Sequence, residues 1–135
     1  MTSFNVNGIA INEVEPNIVI VDYGTAIVTA ERAQDVLDKA KEVWGDRRVA
    51  VLIRAASVID IPRVASLEED EVLARFTVAS ALVSSSKVAG LLANLFMQLR
   101  RSPYPQKHFT DEQKALDWLR IHLASDQKQE LLRHG

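Results

Sequence analysis

The sequence predicts an α/β domain: a mostly parallel five-stranded sheet with an antiparallel N-terminal edge strand and about four helices. Three observations carry this. Short β-branched runs alternate with longer amphipathic stretches, the pattern of parallel strands joined by right-handed crossovers. The run Val49-Ala50-Val51-Leu52-Ile53 is apolar without a break, as suits a central strand covered on both faces. The first two strand-like segments are separated only by Glu15-Pro16-Asn17, a return that fits an antiparallel pair alone.

Residues 5–14 read as the first strand, with Ile9 and Ile11 on one side and Asn7-Gly8 as a turn or a bulge. Ile18-Val19-Ile20-Val21 is the second, broken by Asp22-Tyr23-Gly24-Thr25. Ala33, Val36, Leu37, Ala40, Val43 and Trp44 then recur at helical spacing with charged residues between them. Thr29 is the expected N-cap of that helix and Gly45 its C′ residue. After the central strand, residues 56–62 connect to a short helix from Pro62 to Leu73. A strand over 76–83 places Phe76, Val78 and Leu82 on one face and Thr77, Ala79, Ala81 and Val83 on the other, and the small face allows a close approach. A helix over 87–100 and an edge strand over 104–109, marked by Pro105, follow. Thr110-Asp111-Glu112-Gln113 has capping-box spacing and opens a last helix. That helix buries Ala115, Leu116, Leu119 and Leu123, flanked by Trp118. A polar tail, 125–135, is expected to fray beyond a single domain over 1–124.

Composition narrows the function. With 47% hydrophobic and 25% charged residues the 135-residue chain is neither disordered nor fibrous, and one core suffices. The absence of cysteine excludes disulfides, thiolate nucleophiles and cysteine-ligated metals. Sixteen basic against 18 acidic residues give −2, which offers a polyanion nothing to hold, so no nucleic-acid partner is expected. The start Met-Thr-Ser-Phe-Asn-Val-Asn is no signal peptide, and a cytoplasmic location is expected. His108, His122 and His134 lack metal-ligand spacing, so no metal and no cofactor are expected. The run Glu68-Glu69-Asp70-Glu71 reads as a solvated helix face. Neither a Gly-x-Ser-x-Gly elbow nor Rossmann glycines occur, so catalytic residues are not assigned and an enzyme is the less expected outcome.

Two stretches are candidate working surfaces. Open α/β sheets bind ligands beyond the C-terminal ends of their parallel strands. That rim carries Arg54, Ser57, Asp60 and Arg63 after the central strand, then Ser84, Ser85, Ser86 and Lys87 after the next. The group could hold an anion or a protein partner; equally, the serines cap helices and the charges face water. Arg54 follows five apolar residues and must reach the rim or find a carboxylate, Asp60 being the nearest in sequence. The pair is structural or functional. The second stretch is 88–99, where nine of twelve residues are apolar and only Gly90, Asn94 and Gln98 interrupt. An ordinary surface helix leaves about half its circumference polar. Three accounts stand: burial within the monomer, a homo-oligomer interface through Leu92, Phe96, Met97 and Leu99, or the wall of an apolar ligand cavity; a membrane-surface role, for which only Arg100-Arg101 speaks, is the remainder. The stretch is too short to span a bilayer.

The strands 49–53 and 79–83, and above all the ending Tyr104-Pro105-Gln106-Lys107-His108-Phe109-Thr110-Asp111-Glu112-Gln113-Lys114-Ala115-Leu116-Asp117-Trp118-Leu119, resemble the STAS/SEC14-like bacterial proteins of the SpoIIAA-like superfamily, which takes its name from an anti-sigma-factor antagonist. The resemblance covers residues 5–124, falls in an uncharacterised branch, and implies a βα superhelix. Better-known members carry a phosphorylatable serine in an Asp-Ser motif. Here the matching stretch is Ile59-Asp60-Ile61-Pro62: Asp60 fits the acidic position, and Ile61 has no oxygen to phosphorylate. Ser57 and Ser66 lie nearby, outside the motif position. The resulting expectation is a non-enzymatic module that binds a protein partner or a second copy of itself. The alternative is a carrier of a small apolar molecule or lipid, of SEC14-like type.

Overall fold

The computed structural model describes residues 2–24, 27–28, 30–45, 47–55, 57–58, 77–84 and 104–134. Its main sheet has six strands where five were expected. The N-terminal segment is two strands, β1 (Ser3–Val6) and β2 (Ile9–Glu15), because Asn7-Gly8 is a turn and not a bulge. Both turn residues are left-handed, with φ of 50° and 85°, as a two-residue hairpin turn of the right twist requires. Pro16-Asn17 returns the chain into β3 (Ile18–Asp22); proline presets the first turn position and Asn17 accepts φ 68° at the second.

From β3 onward the sheet is parallel. β4 (Ile27–Val28) is followed by α1 (Ala30–Trp44), β5 (Val49–Arg54), β6 (Ser57–Val58), β7 (Thr77–Val83), β8 (Gln106–Phe109) and α2 (Glu112–His134). The strand order is β1-β2-β3-β5-β7-β8, with the first two pairs antiparallel and the last three parallel. β4 and β6 pair separately as a two-stranded parallel ribbon, β6 within the stretch 56–62 expected as a connection. Two helices lie among the described residues, against about four expected; 62–73 and 87–100 fall outside them.

Each face of the sheet has its own core. On one, α1 covers Ile9, Ile11, Val19, Val21 and Val49, and Trp44 meets Phe4 with ring centroids 5.1 Å apart. Gly45, at φ 61°, ends α1 and donates its N–H to the Lys41 carbonyl at 2.9 Å. On the other, α2 sets Ala115, Leu119 and Leu123 against Ile18, Ile20, Ala50, Leu52, Ala79 and Ala81. The small residues of β7 do admit a close helix. Val78 joins them, not Leu82, because the β5–β7 register shifts between Val49 and Ala50. β5 is covered on both faces, its residues divided between the two cores.

Two expectations about α2 are corrected. Its N-cap is Asp111, not Thr110: the Asp111 carboxylate accepts N–H bonds from Gln113 at 2.9 Å and Lys114 at 3.4 Å. That shift of one residue puts Lys114, not Gln113, at the third helical position. The tail does not fray after Leu123 but continues as helix to His134, and Asp126 within it pairs with Arg48 at 2.7 Å.

Candidate functional site

The C-terminal ends of β3, β5, β7 and β8 form one rim, and a charged cluster sits on it. β3 ends at Asp22, β5 at Arg54, and α2 begins at Glu112 just past β8. Asp22 and Arg54 are register partners. The Arg54 guanidinium donates through Nη1 to Asp22 at 3.2 Å, through Nη2 to Glu112 at 2.8 Å, and through Nε to the other Glu112 oxygen. Arg54 thus has two carboxylates drawn from strand and helix; Asp60 lies outside the described residues.

This geometry sets the ionisation. The Arg54 hydrogen bonds hold Glu112 below the ordinary carboxylate value of 4.5, and those from Glu112 push Arg54 further up. One cation against two carboxylates leaves the cluster net negative, with exposed Asp111 beside it. The fixed positive end of α2 also favours Glu112 in its first turn. Next to the cluster, the Tyr23 N–H donates to the Arg54 carbonyl at 3.0 Å. Burial pushes the Tyr23 phenol up to about 12, so it stays protonated. Gly24 turns the chain away at φ 58°, its N–H on Asp22 at 2.8 Å. Ser84 is buried past β7 and donates its N–H to the Phe109 carbonyl at 3.2 Å.

Of the other rim candidates, Ser57 lies in β6, its backbone paired with Ile27. Asp60, Arg63, Ser85, Ser86 and Lys87 fall outside the described residues, as do Ile61, Ser66 and the apolar Leu92, Phe96, Met97 and Leu99. His108 is buried on β8, and His122 stacks edge-on against Trp118 at 4.5 Å. No group of three or more His, Cys, Asp or Glu among the described residues could hold a metal ion. No helix among them is long and apolar enough to cross a membrane.

Sequence reasoning missed the polar end of the sheet opposite the rim. An open groove of about 240 Å³ there is lined by Arg48, Thr77, Tyr104, His122, Asp126 and Gln129, among others. Beside it, Glu13 is buried and meets Arg47 and Asn17: its carboxylate accepts the Asn17 N–H at 3.0 Å and Arg47 Nη1 at 3.3 Å. Arg120 of α2 grips Glu15 of β2 through two contacts of 3.1 Å. The signal that could have found these partners is charge on inward-facing positions, such as Glu13 between Ile11 and Glu15.

These pairs fix a pH dependence. Burial alone would raise Glu13, but the Asn17 N–H and the Arg47 guanidinium outweigh it and hold the carboxyl below 4.5. Glu15 is lowered by its Arg120 hydrogen bonds, and burial lowers His108 from 6.5. In every case the unfolded chain takes up the proton first, so falling pH favours unfolding. Stability is expected to be full above pH 6.5, to decline as His108 is forced to charge, and to fall more steeply below 4.5. Urea midpoints between pH 7 and 3 measure this; a flat profile would contradict the burial of His108 and the hydrogen bonds of Asn17 and Arg47 to Glu13.

A family model described as a domain of unknown function, DUF7793, matches residues 12–123. The chain belongs to the DUF7793 family. The match takes in both halves of the rim cluster, since Asp22, Arg54 and Glu112 all fall within it. Among solved structures, the chain is similar to an uncharacterised DUF3478-family protein from Shewanella loihica PV-4, described as having a SpoIIAA-like fold. The two share 19% identity over 88% of this chain and 98% of that one, with a TM-score of 0.52. That likeness shows the fold, which is SpoIIAA-like. No curated protein matches the sequence.

Proposed function

We propose that this DUF7793 protein is a non-enzymatic binding module that works by contact with a protein partner through the C-terminal rim of its sheet. The observation that carries this reading is the state of Arg54. Open α/β sheets hold anionic ligands at this rim. Here the guanidinium is already taken by Asp22 and Glu112, so the cluster is a set, net-negative surface. Such a surface repels a phosphate and complements basic side chains on a protein. Ser57, Asp60, Arg63, Ser85, Ser86 and Lys87 extend the proposed surface by their place in the sequence. Ile61, standing where relatives of this fold type carry a serine, supports a contact that is not switched by phosphate at that position.

A photo-reactive side chain placed at exposed Thr110, on the rim, tests this in the native cell against the same group at exposed Gln129. A protein adduct expected at Thr110 and not at Gln129 supports the reading. Adducts at Gln129 only would sink it. Native mass spectrometry of the same protein tests the alternative, a SEC14-like carrier walled by Leu92, Phe96, Met97 and Leu99. A co-purified apolar molecule would shift the assignment to that carrier.

A further inference from the structure

α2 is apolar on two opposite faces. At 100° per residue, Ala115, Leu119 and Leu123 form the face seated on the sheet. Ile121, Ala124, Lys128, Leu131 and Leu132 fall in an arc of about 100° on the opposite side. They point to water: Ile121 is 68% exposed, and Leu131 and Leu132 are 74% exposed each. From Gln127 to Leu132 every residue is exposed, so these turns bury little against the domain beyond the Gln129 edge of the groove. Isolated helix of that length is marginal in water. Both facts call for something packed along this stripe.

We infer that the outer stripe of α2 pairs with the same stripe of a second copy, antiparallel about a two-fold axis near residue 126. The arrangement of sizes and charges favours a copy over a foreign helix. Ile121, Ala124, Lys128 and Leu131 are spaced three and four apart, as a and d positions are. Antiparallel pairing sets Ile121 against Leu131 of the second copy at both ends and Ala124 against Lys128 in the middle. Large residues meet large ones, and the lysine stem lies over alanine with its charge free to reach water. Trp118, half-buried beside Phe109, flanks Leu132 of the second copy. Parallel pairing would set Lys128 on Lys128 and Asp117 on Asp117, two like-charge contacts that the antiparallel register avoids. It also leaves the two domain bodies at opposite ends of the helix pair.

The three exposed aliphatic side chains offer roughly 400 Å² per copy, on the order of 800 Å² for the pair, about half a standard interface. The expected dimer is therefore weak, dissociating at about 10–100 µM. Sedimentation equilibrium of the full chain from 10 µM to 1 mM tests it. The average mass is expected to rise from 15.0 kDa toward twice that value. Leu131→Glu with Leu132→Glu should hold the chain monomeric throughout. Lys128→Leu, which keeps the helix, should tighten the dimer at least tenfold. Wild-type protein still monomeric at 1 mM overturns the inference. So does a dimer that survives the double glutamate variant, or a Lys128→Leu variant with unchanged affinity. A dimer dispersed by Leu92→Glu with Phe96→Glu and untouched by the α2 changes assigns the contact to the 88–99 stretch. The rim cross-link at Thr110 reads out separately, so either idea can fail alone.

Discussion

Leu119→Ala is expected to lower the unfolding free energy by about 3–5 kcal/mol, the upper part of the range for a buried leucine. Leu119 is fully buried, and the core cluster it belongs to includes Ala50, Ala79 and Ala81 on the strands, each also at 0% exposure. Alanines on strands have no side-chain freedom with which to close a void, and the strand backbones beneath them are fixed by the ladder. The cavity therefore stays open, which is where truncation is most damaging. A domain of this size has about 5–15 kcal/mol in total, so the variant stands near its limit. Urea unfolding followed by tryptophan fluorescence measures the loss. A change under 1 kcal/mol would mean that α2 is not seated on β5 and β7 as described.

Arg54→Met is expected to destabilise the domain by about 1–2 kcal/mol at pH 7, with a signature that separates charge from packing. The Arg54 side chain is 41% exposed and Glu112 36% exposed, so water and salt screen the cluster and the full worth of a buried pair does not apply. Methionine keeps most of the aliphatic stem. What it removes is the cation between Asp22 and Glu112, leaving two carboxylates to repel each other. Glu112, now held down by Arg54, then returns upward, because burial and the Asp22 charge both raise it. The sign follows. The wild-type advantage is present above the unfolded carboxylate value of 4.5 and is lost as pH falls through the folded one. The difference between wild type and variant is expected to shrink at pH 4 and in 1 M salt. A difference that holds constant under both conditions would assign the residue to packing.

Much of the fold was legible because it rests on runs and spacings. The unbroken 49–53 run identified the strand covered on both faces, and the small residues of β7 anticipated the close approach of α2. The spacing of Ala115, Leu119 and Leu123 identified the seated face of that helix. What escaped depends on through-space pairing or on a shift of one residue. Asn7-Gly8 is compatible with a bulge and with a turn, and only the partner strand decides. Thr110 and Asp111 are both good caps, and only the bonds from the Gln113 and Lys114 N–H groups decide for Asp111. The partners of Arg54 lie 32 and 58 residues away, so proximity in sequence pointed instead to Asp60. The helical continuation through 125–134 was hidden because its exposed residues are mainly polar, with Leu131 and Leu132 facing away from the sheet.

The strand order distributes the entropy of folding unevenly along the chain. β1, β2 and β3 are joined by two-residue turns, so each gains its ladder as soon as a small loop closes. The neighbours β5, β7 and β8 must each enclose a long connection before any bond between them forms, and α2 can seat only on strands already side by side. The first two dozen residues are therefore the cheap part of the search, and the late, costly contacts are those that assemble both the rim and the ground on which Leu119 rests.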